Sequence, residues 1–176
     1  QAFATPLAWT LTSGDGAKTV YARFRDAAGN VSSIANDAIN LDTTAPSSPS
    51  VALPTFARTT PVTAPLSAVG ADQMKVTVVD VDGTRTEGAF EAYATSKAVT
   101  LPITQQGVKR VEAVFRDLAG NLSPTVFAQV TFDNVAPTGA AVAFPGDWLA
   151  AAATTLTLDA TAATQMQVSV DGTLDT

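Results

Sequence analysis

The sequence contains no cysteine and no histidine. Together these absences exclude a thiol nucleophile, a Ser-His-Asp triad, zinc or haem held by the usual side chains, and imidazole acid-base chemistry near neutral pH. Only carboxylates and hydroxyls remain for chemistry. A fold without cysteine manages without disulfides, which suits any redox compartment. No apolar run approaches the roughly 18 residues that a membrane-spanning helix needs, and the N-terminus lacks the basic start and apolar stretch of a signal peptide. The expectation is a piece of something longer, with its export signal elsewhere and no membrane insertion. Basic residues are also scarce: ten Lys and Arg against 16 Asp and Glu leave a formal charge of −6. Such a surface does not displace phosphate counterions, so neither nucleic acid nor anionic membrane is an expected partner.

What is present suffices for folding. With 46% hydrophobic and 7% aromatic residues, 176 residues bury one or two modest cores. The chain also repeats itself. "FRDAAGN" at 24–30 returns as "FRDLAGN" at 115–121, and "DTTAP" at 42–46 returns as "DNVAP" at 133–137. Asp26 and Asp117, Asp42 and Asp133, and Pro46 and Pro137 all stand 91 residues apart, so the repeating unit is domain-sized.

Period-two alternation runs through the unit. In "KTVYARFRD", Val20, Ala22 and Phe24 alternate with Tyr21, Arg23 and Arg25, and Val111, Ala113 and Phe115 do the same in "RVEAVFRD". The Asp-x-Ala-Gly-Asn that follows is turn chemistry, and a second apolar run returns through Ile39 and Leu41, or Val130 and Phe132, which completes a hairpin. "QMKVTVV" places Met74, Val76 and Val78 on an inward face, and "QMQVSV" at 165–170 predicts the same strand with Met166, Val168 and Val170. "KAVTLP" at 97–102 and "LAWTL" at 7–11 predict another strand. "PVTAPLSA" at 61–68 carries prolines suited to an edge or irregular strand. "WLAAAATTL" at 148–156 has helical propensity, yet the repeat register assigns it to a loop followed by a strand with Leu156 and Leu158 inward. About seven short strands per unit is the count of a two-sheet sandwich.

The register also places the ends. Thr176 aligns with Thr86 and Gln1 with Glu91, both in one mid-unit loop. The expected organisation is therefore the back half of one unit at 1–45, a complete unit at 46–136, and the front half of another at 137–176. Half-units of neighbouring chains are expected to pair head to tail in a non-closing array.

"GDGAKTVYARFRDAAGNVS", "INLDTTAP" and the "ATQM" with "DGT" stretch resemble the bacterial immunoglobulin-like repeats found in tandem in large surface adhesins, biofilm proteins and other secreted proteins. The resemblance covers essentially the whole chain. It implies an all-β fold of tandem seven-stranded immunoglobulin-like sandwiches arranged as a rod, and a bacterial cell-surface or extracellular location. The implied role is structural: a stalk or spacer in cell adhesion, or a filament, and not an enzyme. The implied partners are neighbouring repeats of the same or an adjacent chain, with surface glycans or a host receptor met through other domains. The alternative is a carbohydrate- or receptor-binding accessory module of a secreted protein.

Two sets of side chains are candidates for a site. Asp42, Asp72, Asp117 and Asn121 are expected to converge at one junction, where similar adhesin repeats bind calcium through six to eight oxygens. The competing role for Asp26, Asp42, Asp117 and Asp133 is to cap turns and strand starts through backbone N–H groups. Trp9 and Trp148 are either sugar-stacking platforms or aromatics packed against a sandwich edge, the latter being the expectation. "DVDG" at 80–83 has its glycine too early for a calcium-binding loop and is expected to be a turn with solvated carboxylates.

Overall fold

The structure, a computed structural model, describes residues 2–169. These contain thirteen β-strands and no helix, in two compact units spanning residues 1–132 and 133–176. Gln1, Val170 and Thr176, on which parts of the repeat alignment fall, lie outside the described residues.

The first unit opens with β1 (Gly16–Ala22) and β2 (Ala35–Leu41), an antiparallel pair forming a two-stranded sheet. Next come β3 (Ser47–Val51), β4 (Phe56–Ala57), β5 (Val62–Val69) and β6 (Gln73–Val79). They are followed by β7 (Arg85–Glu87), β8 (Glu91–Ala92), β9 (Ser96–Val99), β10 (Gly107–Arg116) and β11 (Val126–Phe132). One sheet has the order β4-β11-β10-β6-β7, with β8 also on β6; the other has the order β3-β5-β9. The core fills the space between them. From one sheet come Val62, Ala64, Leu66, Ala68 and Val99, and from the other Met74, Val76, Val78, Val111, Ala113, Phe115, Val130 and Phe132. The fold of 47–132 is thus β-sandwich-like, and the alternating residues named from sequence on β6, β10 and β11 are its buried face.

β5 bears out only the irregular alternative: its pairing with β3 shifts register between Ser47 and Ser50. It is the middle strand of its sheet, not an edge. Pro65 is tolerated there because its carbonyl accepts a 3.0 Å hydrogen bond from Ala52 N, just past the end of β3. In a strand the N–H and C=O of one residue point the same way, so the missing donor faces a place where the β3 ladder has already ended.

The second unit has β12 (Thr138–Ala143) and β13 (Thr157–Thr161), paired antiparallel. The alanine-rich stretch is a loop leading into β13, with Leu156 half-buried and Leu158 at the exposed margin. Two expected strands do not form over the described residues: Leu7–Leu11 and, of the stretch 165–170, Gln165–Val168 are outside any strand. The reason is a missing neighbour. In the sandwich, β9 is held by β5 and β6 is held by β10. The counterpart of β5 is β13, in the other unit from Leu7–Leu11, and the counterpart of β10 is β1, in the other unit from Gln165–Val168.

The sequence repeat is also a repeat of geometry. β1 pairs β2 in the register Gly16 to Leu41, as β10 pairs β11 in the register Gly107 to Phe132. Phe3 meets Phe24 edge-on at 6.0 Å, as Tyr93 meets Phe115 at 5.9 Å. The β12–β13 ladder copies β3–β5, including the irregularity after the first pair, and Gly139 and Ala162 repeat the positive φ of Ser48 and Gly70. The same backbone is written twice, and covered once.

Candidate functional site

At the junction, the turn after β10 is closed by side chain and backbone together. Asp117 Oδ1 accepts from Asn121 N at 2.8 Å and Oδ2 from Asn121 Nδ2 at 2.9 Å; Gly120 N donates to Asp117 O at 3.2 Å. Gly120 has φ +96, which a side chain would strain, so glycine is required here. Asp26 and Asn30 make the same pair of bonds, each 2.8 Å. Asn121 Nδ2 also donates to Asp42 O at 3.0 Å, which ties the turn of the sandwich to the linker that precedes it.

The linker is gripped from its other side by Asp15, a residue that sequence reasoning passed over. Its Oδ1 accepts from Thr43 N at 2.9 Å and Thr43 Oγ1 at 2.8 Å, and its Oδ2 from Thr44 Oγ1 at 2.6 Å. Asp42 Oδ1 takes Thr44 N at 2.9 Å, and Asp133 Oδ1 takes Val135 N at 2.9 Å, so both junction aspartates anchor the next strand's approach. Asp72 is brought to the same end through its backbone, donating to Arg116 O and accepting from Tyr93 N, each at 2.9 Å. The four residues named for calcium therefore lie at one end of the sandwich. Both Asp117 oxygens accept from Asn121, whose Nδ2 is turned to Asp42 O. Among the described residues no three His, Cys, Asp or Glu side chains are grouped to hold a metal ion.

These bonds set the acid response. Burial pushes the Asp117 carboxyl up, but the side-chain and backbone hydrogen bonds from Asn121, with those from the Gly120 and Ala119 backbone, outweigh it and hold the carboxyl below its ordinary value. Hydrogen bonds from Asn30 lower Asp26, and those from Thr44 and then Thr43 lower Asp15. A carboxyl depressed in the folded state binds fewer protons than the unfolded chain, so its contribution is complete above about pH 4 and is lost as pH falls through the folded value. Urea midpoints measured from pH 5 to pH 2 should fall steadily. Asp117→Asn should flatten that fall, and an unchanged slope would mean the turn does not carry it.

The tryptophans correct an expectation. Trp9 is 65% exposed and Trp148 is 94% exposed, so neither packs against a sandwich edge in this chain. Trp9 lines an open groove with Leu11 and with Lys18 and Val20 of β1. Aligning "LAWTL" with "KAVTL" sets Trp9 at the place of Val99, a buried core residue of the complete sandwich.

"DVDG" is the expected turn, closed by Gly83 N on Asp80 O at 3.0 Å, and Asp82 is its surface carboxylate, accepting from Thr84 N at 2.9 Å. Asp80 is buried and forms an ion pair with Lys109, a fully buried lysine that also donates to Gln105 O at 2.7 Å. The signal was available: Lys109 shares the inward parity of Val111, Ala113 and Phe115 on β10.

No family model matches the chain, and no curated protein matches it.

Proposed function

We propose that this chain is a structural spacer built from tandem immunoglobulin-like sandwiches, a stalk or fibre segment of a bacterial cell-surface or extracellular protein. The observation that carries the reading is the joint. One linker, 42–46, is hydrogen-bonded by Asp15 of the preceding half-unit and by Asn121 of the following sandwich, so each unit has a fixed bond to its neighbour's connection. A chain of recurring units with tied linkers transmits force and holds distance; it needs no cleft. The strand order also supports an immunoglobulin-like arrangement, because the chain's entry crosses from one sheet at β3 to the other at β4.

Small-angle scattering of the dilute chain tests this. The double variant Asp15→Ala/Asn121→Ala should broaden the distribution of end-to-end lengths, because it removes every side-chain bond across the joint except that of Asp42. An identical distribution would leave the joint unsupported and the spacer reading without its basis. The exposure of Trp148 favours a second reading, a carbohydrate-binding module with an aromatic platform. Glycans that quench Trp148 fluorescence, and lose binding in Trp148→Ala, would shift the assignment to it.

A further inference from the structure

We infer that β9 is a strand-receiving edge kept closed by Lys97, so that removing this one charge lets two copies pair β9 to β9. The inference needs only the sandwich of 47–132 and does not rest on the spacer reading.

Open sheets end in edge strands whose backbone groups are ready to pair with another chain, and a fold that stays apart from its copies must block each of them. In 47–132 the other edges are blocked by the backbone. β3 carries Pro49, which has no N–H to donate, and its register with β5 shifts between Ser47 and Ser50. β4 is two residues long. β7 and β8 have three and two residues, and between them Gly88 turns its N–H to Val76 O at 3.0 Å. A Cβ on Gly88 would stand 2.7 Å from that oxygen, so glycine fixes the break. β9 has none of these devices. Its four residues pair with β5 in unbroken register and include no proline.

The β9 backbone is set to receive a strand. Leu66 N donates to Thr95 O at 2.8 Å, and the alternation of an antiparallel ladder then turns Lys97 and Val99 toward β5 and leaves the N–H and C=O of Ser96 and Ala98 pointing outward. A second β9 laid antiparallel against the first exchanges these groups, Ser96 of each with Ala98 of the other. That register sets the two Lys97 directly opposite one another. Like charges opposed across a ladder repel.

Lys97 also stands on the face where a charge is least expected. It is paired with the fully buried Ala64 and shares the inward parity of Val99. Glu91 of β8 is paired with the buried Met74, so it has inward parity on the opposite sheet. The two meet as an ion pair across the gap between the sheets, with side chains 31% and 45% exposed. Charge that is still in water therefore closes this side of the core. A strand added to β9 would cover the pair and strip that water, a cost that the attraction between the two charges does not repay.

Sedimentation of the full chain tests the inference. Lys97→Val should stay folded by circular dichroism, because Ala64 and Val99 lie beside it on the same face, and it should self-associate roughly tenfold more tightly than the natural chain. Amide exchange at Ser96 and Ala98 should slow as the concentration of this variant rises. Lys97→Arg, which keeps the charge, should behave as the natural chain does. Adding Ala98→Pro to Lys97→Val should return association to the natural level, because it removes an outward N–H that β5 does not use. Should valine unfold the sandwich, Lys97→Gln keeps the length, drops the charge and carries the same expectations. No gain in association for the uncharged variant would overturn the inference, since Lys97 would then guard nothing. A gain that survives Ala98→Pro would overturn it equally, since the copies would be meeting through apolar surface and not along the edge. Neither result touches the spacer reading, which the scattering of the joint variants decides separately.

Discussion

Asp80→Ala should lower the stability of the 47–132 sandwich by about 3–5 kcal/mol, because it leaves Lys109 charged and without its carboxylate inside the core. Lys109 is fully buried on β10, and its remaining bond is to the carbonyl of Gln105. One neutral acceptor does not replace the water that an ammonium loses on burial. The pair itself is worth much less than the damage done by halving it. Asp80→Leu/Lys109→Met, which removes both charges and keeps the volume, should recover most of the loss. Urea unfolding followed by tryptophan-independent circular dichroism measures all three proteins. A loss below about 1 kcal/mol for Asp80→Ala would show that Lys109 reaches water, and the packing described for β10 would need revision.

That pair also shows where sequence reading stops. Alternation identified the buried faces of β6, β10 and β11 because a period of two is a property of the strand and needs no partner to be visible. The same alternation placed Lys109 inward, but a charged residue at an inward position is intelligible only once Asp80, 29 residues away, is seen beside it. Asp15 escaped for a similar reason: its partners are Thr43 and Thr44, reached across the β1–β2 pair. The turn aspartates, in contrast, were legible, since Asp117 with Asn121 and Asp26 with Asn30 act within five residues of backbone. Pro65 misled because proline argues against a central strand only where a ladder hydrogen bond is needed, and β3 has ended at that point. The strands expected at 7–11 and 165–170, the second judged over its described residues, are the most instructive difference. Their patterns are those of β9 and β6, and pattern alone does not make a strand when no edge is present to receive it.

Two phenylalanines of identical local structure turn this into a paired measurement. Phe115→Ala should cost about 3–5 kcal/mol, because the ring is wholly buried between the sheets and its loss leaves a cavity that a two-sheet core fills poorly. Phe24 is followed by the same Arg-Asp, has a serine hydroxyl at the same 3.0 Å from its amide and meets an edge-on aromatic, Phe3 in place of Tyr93. Only the covering sheet differs. In the dilute monomer Phe24→Ala should therefore cost less than about 1 kcal/mol, in line with a half-exposed side chain that fills no closed core. Urea midpoints for the natural chain and both variants separate the two cases. A Phe24→Ala loss equal to that of Phe115→Ala would mean that the Phe24 ring is covered in this chain, against its 51% exposure.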